Sequence, residues 1–289
     1  MTIKELLNKG VDFLGRDREG NVLDTEVLLA FVLDVDKEYL FAHDDEEVAE
    51  DFEKLFWHYL KKVQAGEPVA YITQEKEFFG LNFFVDDRVL IPRPETEHMV
   101  EEAVTFIEEH DTGERVSVLD VGTGSGNIAV AIAKYFEAQG SDVIEKIDAL
   151  DIEDGAVEVA HLNVDQHNVD HLVNVFQSDL LEVVPEGEFY DVIVANLPYI
   201  GEVKRQGLSD STEKYEPTSA LFAGDDGLDL YRRMFEEMRE KNIRYNIMFG
   251  EFGFGQSEDL AEVLNEFFDE SWEIKQDLAG IERYFIVYA

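Results

Sequence analysis

Residues 2 to about 66 place apolar side chains at helical spacing: Leu6, Leu7 and Phe13, then Val27, Leu28 and Phe31 behind a cap at Asp24 or Thr25, then Leu55, Phe56, Tyr59 and Leu60 in a long acidic stretch. Gly66 and Pro68 end that stretch. From Pro68 to Leu90 the pattern shortens to β-type runs, AYIT, EFFG and NFFV, parted by polar turns, which predicts a hairpin joining two domains. After IPRPE a further helix is predicted, with Pro94 near its first turn and Met99, Val100, Ala103, Val104 and Ile107 on one face.

Beyond about residue 114 strands alternate with helices: VSVLDVG, a helix from Asn127, KIDALDI, a helix through Ala160, a short strand near Val175, then YDVIVANLPY. This alternation predicts βαβ units, hence an α/β fold with a mostly parallel sheet and helices on both faces. NIMFGEF and ERYFIVY predict two more strands flanking a helix from Glu258 to about Phe268. The expected organisation is a helical domain over 1–67, a hairpin linker over 68–92 and an α/β domain over 93–289.

Composition narrows the chemistry. Apolar residues make up 45% of the 289, but no run approaches the ~20 that a membrane-spanning helix requires, and MTIKELLNKG has no signal-peptide core. The expectation is a soluble, cytoplasmic protein. The absence of cysteine removes disulfides, thiolate metal sites and a cysteine nucleophile, and seven scattered histidines predict no metal. With 65 acidic against 24 basic residues the formal charge is −41, which repels nucleic acid. Adaptation to a salt-rich cytoplasm, ordinary acidic drift of the surface and a recruiting patch for a basic partner all account for it.

Two loops carry the candidate chemistry. Asp120-Val121-Gly122-Thr123-Gly124-Ser125-Gly126 follows an apolar strand and opens a helix, where turn glycines and free helix N–H groups make a binding site. A dinucleotide fingerprint G-x-G-x-x-G would need glycine at 127, which is Asn127. The observed G-x-G-x-G behind an acidic residue resembles class I methyltransferases, and the resemblance implies a Rossmann-like sheet and S-adenosylmethionine as cofactor, leaving S-adenosylhomocysteine. Asp120, Gly122, Thr123, Gly124 and Gly126 would form its loop. Asp151 ends the second strand, where it can accept both ribose hydroxyls, and Asp179 can accept from the adenine amino group. Each aspartate alone also reads as a helix cap.

The second loop, Ala195-Asn196-Leu197-Pro198-Tyr199, follows YDVIV at another carboxyl strand end and should face the first. An amide nitrogen is a poor nucleophile because its lone pair is delocalised. An enzyme that alkylates it must hold both amide hydrogens and aim the nitrogen. The Asn196 side-chain oxygen and the Leu197 carbonyl supply two such acceptors, Pro198 holds Leu197 extended, and Tyr199 would close over the planar acceptor. Taken alone, N-x-P-Y is also a strand-ending turn.

Several stretches go further and resemble the protein-(glutamine-N5) methyltransferases that act on peptide chain release factors: EFFGLNFFVDDRVLIPRPETE (77–97), DVGTGSGNIAVAIA, ANLPYI, YEPTSALFAGDDGLDLYRR (215–233), GEFGFGQ and DLAGIERY. The resemblance spans nearly the whole chain. It implies methyl transfer to a glutamine of a class I release factor gripped by the helical N-terminus, by a monomer without nucleic-acid or membrane partners. Glu216 and Pro217 would shape the wall beside the acceptor, which Asn196, Leu197, Pro198 and Tyr199 contact, with Asn196 also reaching the cofactor. Arg93, Glu95, Thr96 and Glu97 stand between lining the cofactor pocket and bracing the hairpin, with Arg93 read as a brace. One departure is Leu197, where the family usually has proline. The N-L-P-Y form resembles ribosomal RNA adenine dimethyltransferases, which makes RNA adenine-N6 methylation the alternative activity. A non-catalytic docking module that binds the cofactor is a second alternative, and a nicotinamide oxidoreductase a weaker third.

Overall fold

Apolar side chains gather into separate cores, and the computed structural model accordingly divides into two compact units, Met1–Glu75 with Ser209–Tyr215, and Lys76–Leu208 with Glu216–Ala289. It describes residues 1–15, 20–110, 113–201, 210–269 and 271–289.

The first unit is helical: α1 (Ile3–Leu14), α2 (Gly20–Leu33), α3 (Lys37–Ala42), α4 (Glu50–Gln64), α5 (Val69–Thr73) and the short helix Asp210–Tyr215. A capping box starts α1: the Thr2 hydroxyl accepts from Glu5 N and the Glu5 carboxylate from Thr2 N, each at 3.2 Å. Leu6, Leu28, Leu29, Leu40, Phe56 and Leu60 are its buried centre. Two expectations are corrected here. The helix expected to start at Asp24 or Thr25 begins earlier, and Thr25 lies buried inside α2, its hydroxyl donating to Asn21 O at 2.6 Å. AYIT is not a strand but lies in α5, which starts after Pro68 and stops at Gln74 in the left-handed region (φ 58°). A four-residue apolar run does not separate a helical turn from a strand, and here Pro68 ahead of the first turn decides.

In the second unit β1 (Glu75–Phe78) and β2 (Leu81–Phe84) form the expected hairpin, turning through Phe79 and Gly80 at positive φ. Phe78 and Phe83 are fully buried and meet edge to face, their centroids 6.1 Å apart. A single 3₁₀ turn, Pro94–Thr96, leads into α6 (Glu97–Glu109), whose buried residues are the five expected, Met99, Val100, Ala103, Val104 and Ile107. At ~1.5–3 kcal/mol for each large side chain, that stripe holds the helix on the sheet.

The chain then runs β3 (Val116–Val121), α7 (Asn127–Ala138), β4 (Ile144–Asp151), α8 (Asp154–His167), β5 (Val173–Gln177), β6 (Phe189–Ala195), α9 (Asp210–Tyr215), α10 (Asp229–Glu240), β7 (Arg244–Glu251), α11 (Ser257–Phe267), β8 (Trp272–Gln276) and β9 (Glu282–Tyr288). The sheet order is β5-β4-β3-β6-β7-β9-β8, parallel from β5 to β7 and antiparallel where β9 pairs with β7 and β8. Side chains alternate along β3, so Val116 and Val118 join the core with α6 and α7, and Leu119 and Val121 the core with α10 and α11. Strand β8 was not among the expected elements. Its Glu273 and Lys275 interrupt the apolar run, as suits an edge strand. Among the described residues no helix is long and apolar enough to cross a membrane.

Candidate active site

Register places the site. Val121 at the end of β3 lies opposite Ala195 at the end of β6 and Leu150 near the end of β4, while Ala195 is also opposite Gly250 of β7. The residues that follow therefore emerge side by side at one carboxyl rim: Gly122, Asp151, Asn196 and Glu251. A cavity of about 340 Å³ opens there, its wall including Gly122, Gly124, Asp151, Asp179, Asn196 and Pro217.

In the glycine loop, Gly122 N and Thr123 N both donate to Leu150 O, at 2.9 and 2.8 Å. Gly122 has φ +78°, and a Cβ there would lie 3.1 Å from Leu197 Cδ2 and 3.2 Å from Asn196 O, so only glycine lets the two loops touch. Asp151 accepts from Gly124 N at 2.8 Å through Oδ2 and from Glu153 N at 3.0 Å through Oδ1. Burial pushes its carboxyl up, and these two hydrogen bonds oppose the push. Each oxygen keeps a lone pair for a further donor. Asp120 is fully buried, its Oδ2 accepting from the Thr123 hydroxyl at 2.6 Å and its Oδ1 without a partner among the described residues. Burial pushes its carboxyl up to about 7, against the Thr123 hydrogen bond. Asp179 is part-exposed and paired with Arg233 at 3.0 Å.

These residues fit S-adenosylmethionine. Asp151 and Asp179 offer acceptors to sugar hydroxyls and an amino group, the Asp120 Oδ1 is an unfilled acceptor beneath the loop, and a Cβ on Gly124 would meet nothing within 4 Å, leaving room above the turn. The arginines of the wall do not offer a phosphate site, because Arg88 is paired with Asp86 and Glu158, Arg93 with Glu216 and Arg233 with Asp179.

The second loop is held from behind. The Asn196 Nδ2 donates to Thr96 Oγ1 at 3.2 Å and to Glu251 Oε2 at 3.4 Å, and the Thr96 hydroxyl donates to the same Oε2 at 2.6 Å. The Tyr199 hydroxyl donates to Glu251 Oε1 at 3.0 Å. Glu251 is buried, which raises its pKa against the Thr96 and Tyr199 hydrogen bonds. Burial and the Glu251 charge drive the Tyr199 phenol well above its ordinary range, so it stays protonated and donating. The Tyr231 hydroxyl, also buried, bridges Ala195 O at 3.0 Å and Glu251 O at 2.6 Å, tying the ends of β6 and β7 together.

Of the residues expected from the sequence, Gly122, Thr123, Gly124, Asp151, Asp179, Asn196, Leu197, Pro198 and Pro217 come together on the cavity wall. Asp120 lies below it, and Gly126 sits against Ala160 at the start of α7. The Tyr199 hydroxyl is turned onto Glu251 and its carbonyl accepts from Gln256 Nε2 at 2.8 Å. Glu216 is buried and spends its oxygens on Arg93 at 2.6 Å and Ile91 N at 3.3 Å, so the brace expected at Arg93 has Glu216 as its carboxylate. Glu97 accepts from Phe79 N at 3.1 Å, Glu95 is exposed, and Thr96 joins the Asn196 cluster. Sequence reasoning missed Glu251. The available signal was its place at the end of a predicted strand, the position that drew attention to Asp151.

A family model described as PrmC N-terminal domain matches residues 5–73, and one described as Ribosomal protein L11 methyltransferase (PrmA) matches residues 97–200. A protein of Bacillus cereus named Release factor glutamine methyltransferase is 35% identical over 288 residues, covering 98% of each chain. One of the same name from Koribacter versatilis is 33% identical over 284 residues, covering 98% of this chain and 97% of its own. Among solved structures, the N-terminal domain of human METTL16 in complex with SAH is 19% identical, covers 79% of this chain and 83% of its own, and has a TM-score of 0.52, which shows a shared fold.

Proposed function

Because the chain belongs to the family of release factor glutamine methyltransferases, we propose that it transfers a methyl group from S-adenosylmethionine to the side-chain amide nitrogen of a glutamine in a class I peptide chain release factor. The observation that carries this reading is the contact between the two loops: Gly122 meets Asn196 O and Leu197, so an acceptor held by the Asn196 loop lies against the cofactor wall.

When bound, the cofactor supplies a methyl group made electrophilic by its sulfonium. Asp151 and Asp179 orient the nucleoside, and Asp120 holds the glycine loop from below through Thr123. The Asn196 Oδ1 and the Leu197 carbonyl each accept one hydrogen of the glutamine amide, which turns the nitrogen toward the methyl group and draws electron density onto it. No base is required before attack, because the amide becomes strongly acidic once its nitrogen carries the new bond and loses a proton late. Tyr199 stays a phenol and closes the far side of the acceptor, with Pro217 on the adjoining wall and Glu216 holding that wall through Arg93. Replacing the usual first proline by Leu197 leaves the accepting carbonyl in place, since it belongs to the backbone. The Leu197 side chain is 3% exposed and packs into the core, which restores part of the stiffness that a proline gives.

The helical domain over 1–67 would grip the factor away from the chemistry, the hairpin over 68–92 would link it, and 93–289 would form the catalytic domain. Binding energy remote from the reacting atoms then positions a flexible glutamine loop. The formal charge of −41 supports a protein acceptor over RNA. The test is transfer of labelled methyl from S-adenosylmethionine to a purified class I release factor at low and molar salt, beside its glutamine-substituted form and ribosomal RNA. Label in the unmodified factor alone is expected; label in RNA, or in the substituted factor, would overturn the reading.

A further inference from the structure

A primary carboxamide is nearly symmetric in shape, so packing alone does not decide which end of Asn196 faces the cavity. Its hydrogen-bond partners decide. The Thr96 hydroxyl has one proton and commits it to Glu251 Oε2 at 2.6 Å, which leaves only lone pairs for Asn196. Both Glu251 oxygens already accept from hydroxyls, Oε2 from Thr96 and Oε1 from Tyr199, so the carboxylate likewise faces Asn196 as an acceptor. The buried side of Asn196 is therefore bounded by two acceptors, 3.2 and 3.4 Å from Nδ2, and a flipped amide would set its oxygen against both.

We propose that Glu251, acting with Thr96, is a positioning residue that locks the Asn196 carboxamide with Oδ1 toward the methyl acceptor. The same carboxylate holds the Tyr199 hydroxyl through its other oxygen, so one buried side chain aligns both side chains of the loop. It reaches them because β7 is the parallel neighbour of β6, with Gly250 opposite Ala195. Thr96 reaches the same point from the turn before α6. Oδ1 facing the cavity selects an acceptor that carries N–H, and a nearly isosteric group without one is left unheld. The inference rests on the amide-methylating reading for its substrate, but the orientation of Asn196 is measurable without any substrate.

The experiment compares the full-length protein with E251Q, T96V and T96S. In wild-type protein labelled with ¹⁵N and saturated with S-adenosylhomocysteine, the Asn196 side-chain NH₂ pair, assigned by its loss in N196D, is expected to be protected from solvent exchange and to lose that protection in E251Q. With the release factor as acceptor, E251Q is expected to lower kcat ~100-fold, with KM for the factor and Kd for the cofactor within about threefold of wild type, because a glutamine at 251 presents an NH₂ that pulls the Asn196 oxygen inward. T96V is expected to lose kcat by roughly tenfold and T96S, which returns the hydroxyl, to restore most of it. Free exchange of the Asn196 NH₂ in the wild type, or an unchanged kcat in E251Q, overturns the proposal. Protection that is lost in E251Q supports it even where wild-type protein methylates no release factor, in which case the functional reading alone falls.

Discussion

Asn163 exchanges two hydrogen bonds with the backbone of Phe84: its Oδ1 accepts from Phe84 N at 2.7 Å and its Nδ2 donates to Phe84 O at 3.0 Å. The same Nδ2 donates to Ser125 O at 2.8 Å, so one fully buried side chain on α8 ties the hairpin strand β2 to the glycine loop. N163A strands three backbone groups. Stability is expected to fall by roughly 3 kcal/mol in denaturant titration, and cofactor affinity to fall with it, because the loop loses a support. Affinity equal to wild type at unchanged stability would refute this role.

The two loops meet at Gly122. G122A and G124A both force a left-handed conformation on alanine, at φ +78° and +55°, but only G122A also drives a Cβ toward Asn196 O and Leu197, since nothing lies within 4 Å of a Cβ on Gly124. Isothermal titration with S-adenosylhomocysteine and turnover assays should find methyl transfer by G122A reduced ~100-fold or more. G124A should carry backbone strain and weaken the cofactor while leaving the loops in register, and so lose less turnover than G122A. Equal losses in kcat for the two would show that loop contact is not the deciding feature.

Among the described residues Arg93 is the one cation paired with Glu216, whose side chain is 2% exposed. R93A leaves that carboxylate with the Ile91 N–H and no charge partner, and is expected to cost roughly 3 kcal/mol. E216Q, which needs no cation, should cost less. Thermal melts that rank the two variants the other way would contradict the pairing.

Asp120 predicts a pH dependence of known sign. Burial raises its folded carboxyl to about 7 from an unfolded value near 3.8, so between those pH values the folded state binds the extra proton. Stability from this group is therefore greatest at low pH and declines as pH rises toward 7, by on the order of a few kcal/mol. D120N does not titrate there. Its melting temperature relative to wild type should climb between pH 4 and pH 7 and level off above; a flat difference would place the Asp120 carboxyl in its ordinary range.

A formal charge of −41 over 289 residues makes self-repulsion a standing cost of the folded state. Raising salt from 0.1 to 1 M shortens the Debye length from about 10 Å to about 3 Å, and the melting temperature is expected to rise by several degrees. Calorimetry across potassium chloride concentrations reads this directly. A midpoint that does not move would mean the charges are already spaced or paired well enough.

Most of the elements, and both loops, were legible in the sequence. The five-residue stripe from Met99 to Ile107, the strand-loop-helix around Gly122, and the Asn196 loop behind an apolar strand are local patterns whose period or turn chemistry is complete within a few residues. AYIT misled because four residues span barely one helical turn, too few to tell a period of 3.6 from one of 2, and β8 was silent because Glu273 and Lys275 break its apolar run and none of its residues is fully buried. Which strand ends are neighbours, by contrast, follows only from the folded sheet. Glu251 is 55 residues from Asn196 in the chain, and only the pairing of β6 with β7 brings its carboxylate to the amide. Arg93 and Glu216 are 123 residues apart and form an ion pair that no spacing encodes. Strand order is a property of how whole layers pack, so the residues that support the site became visible only once the sheet had an order.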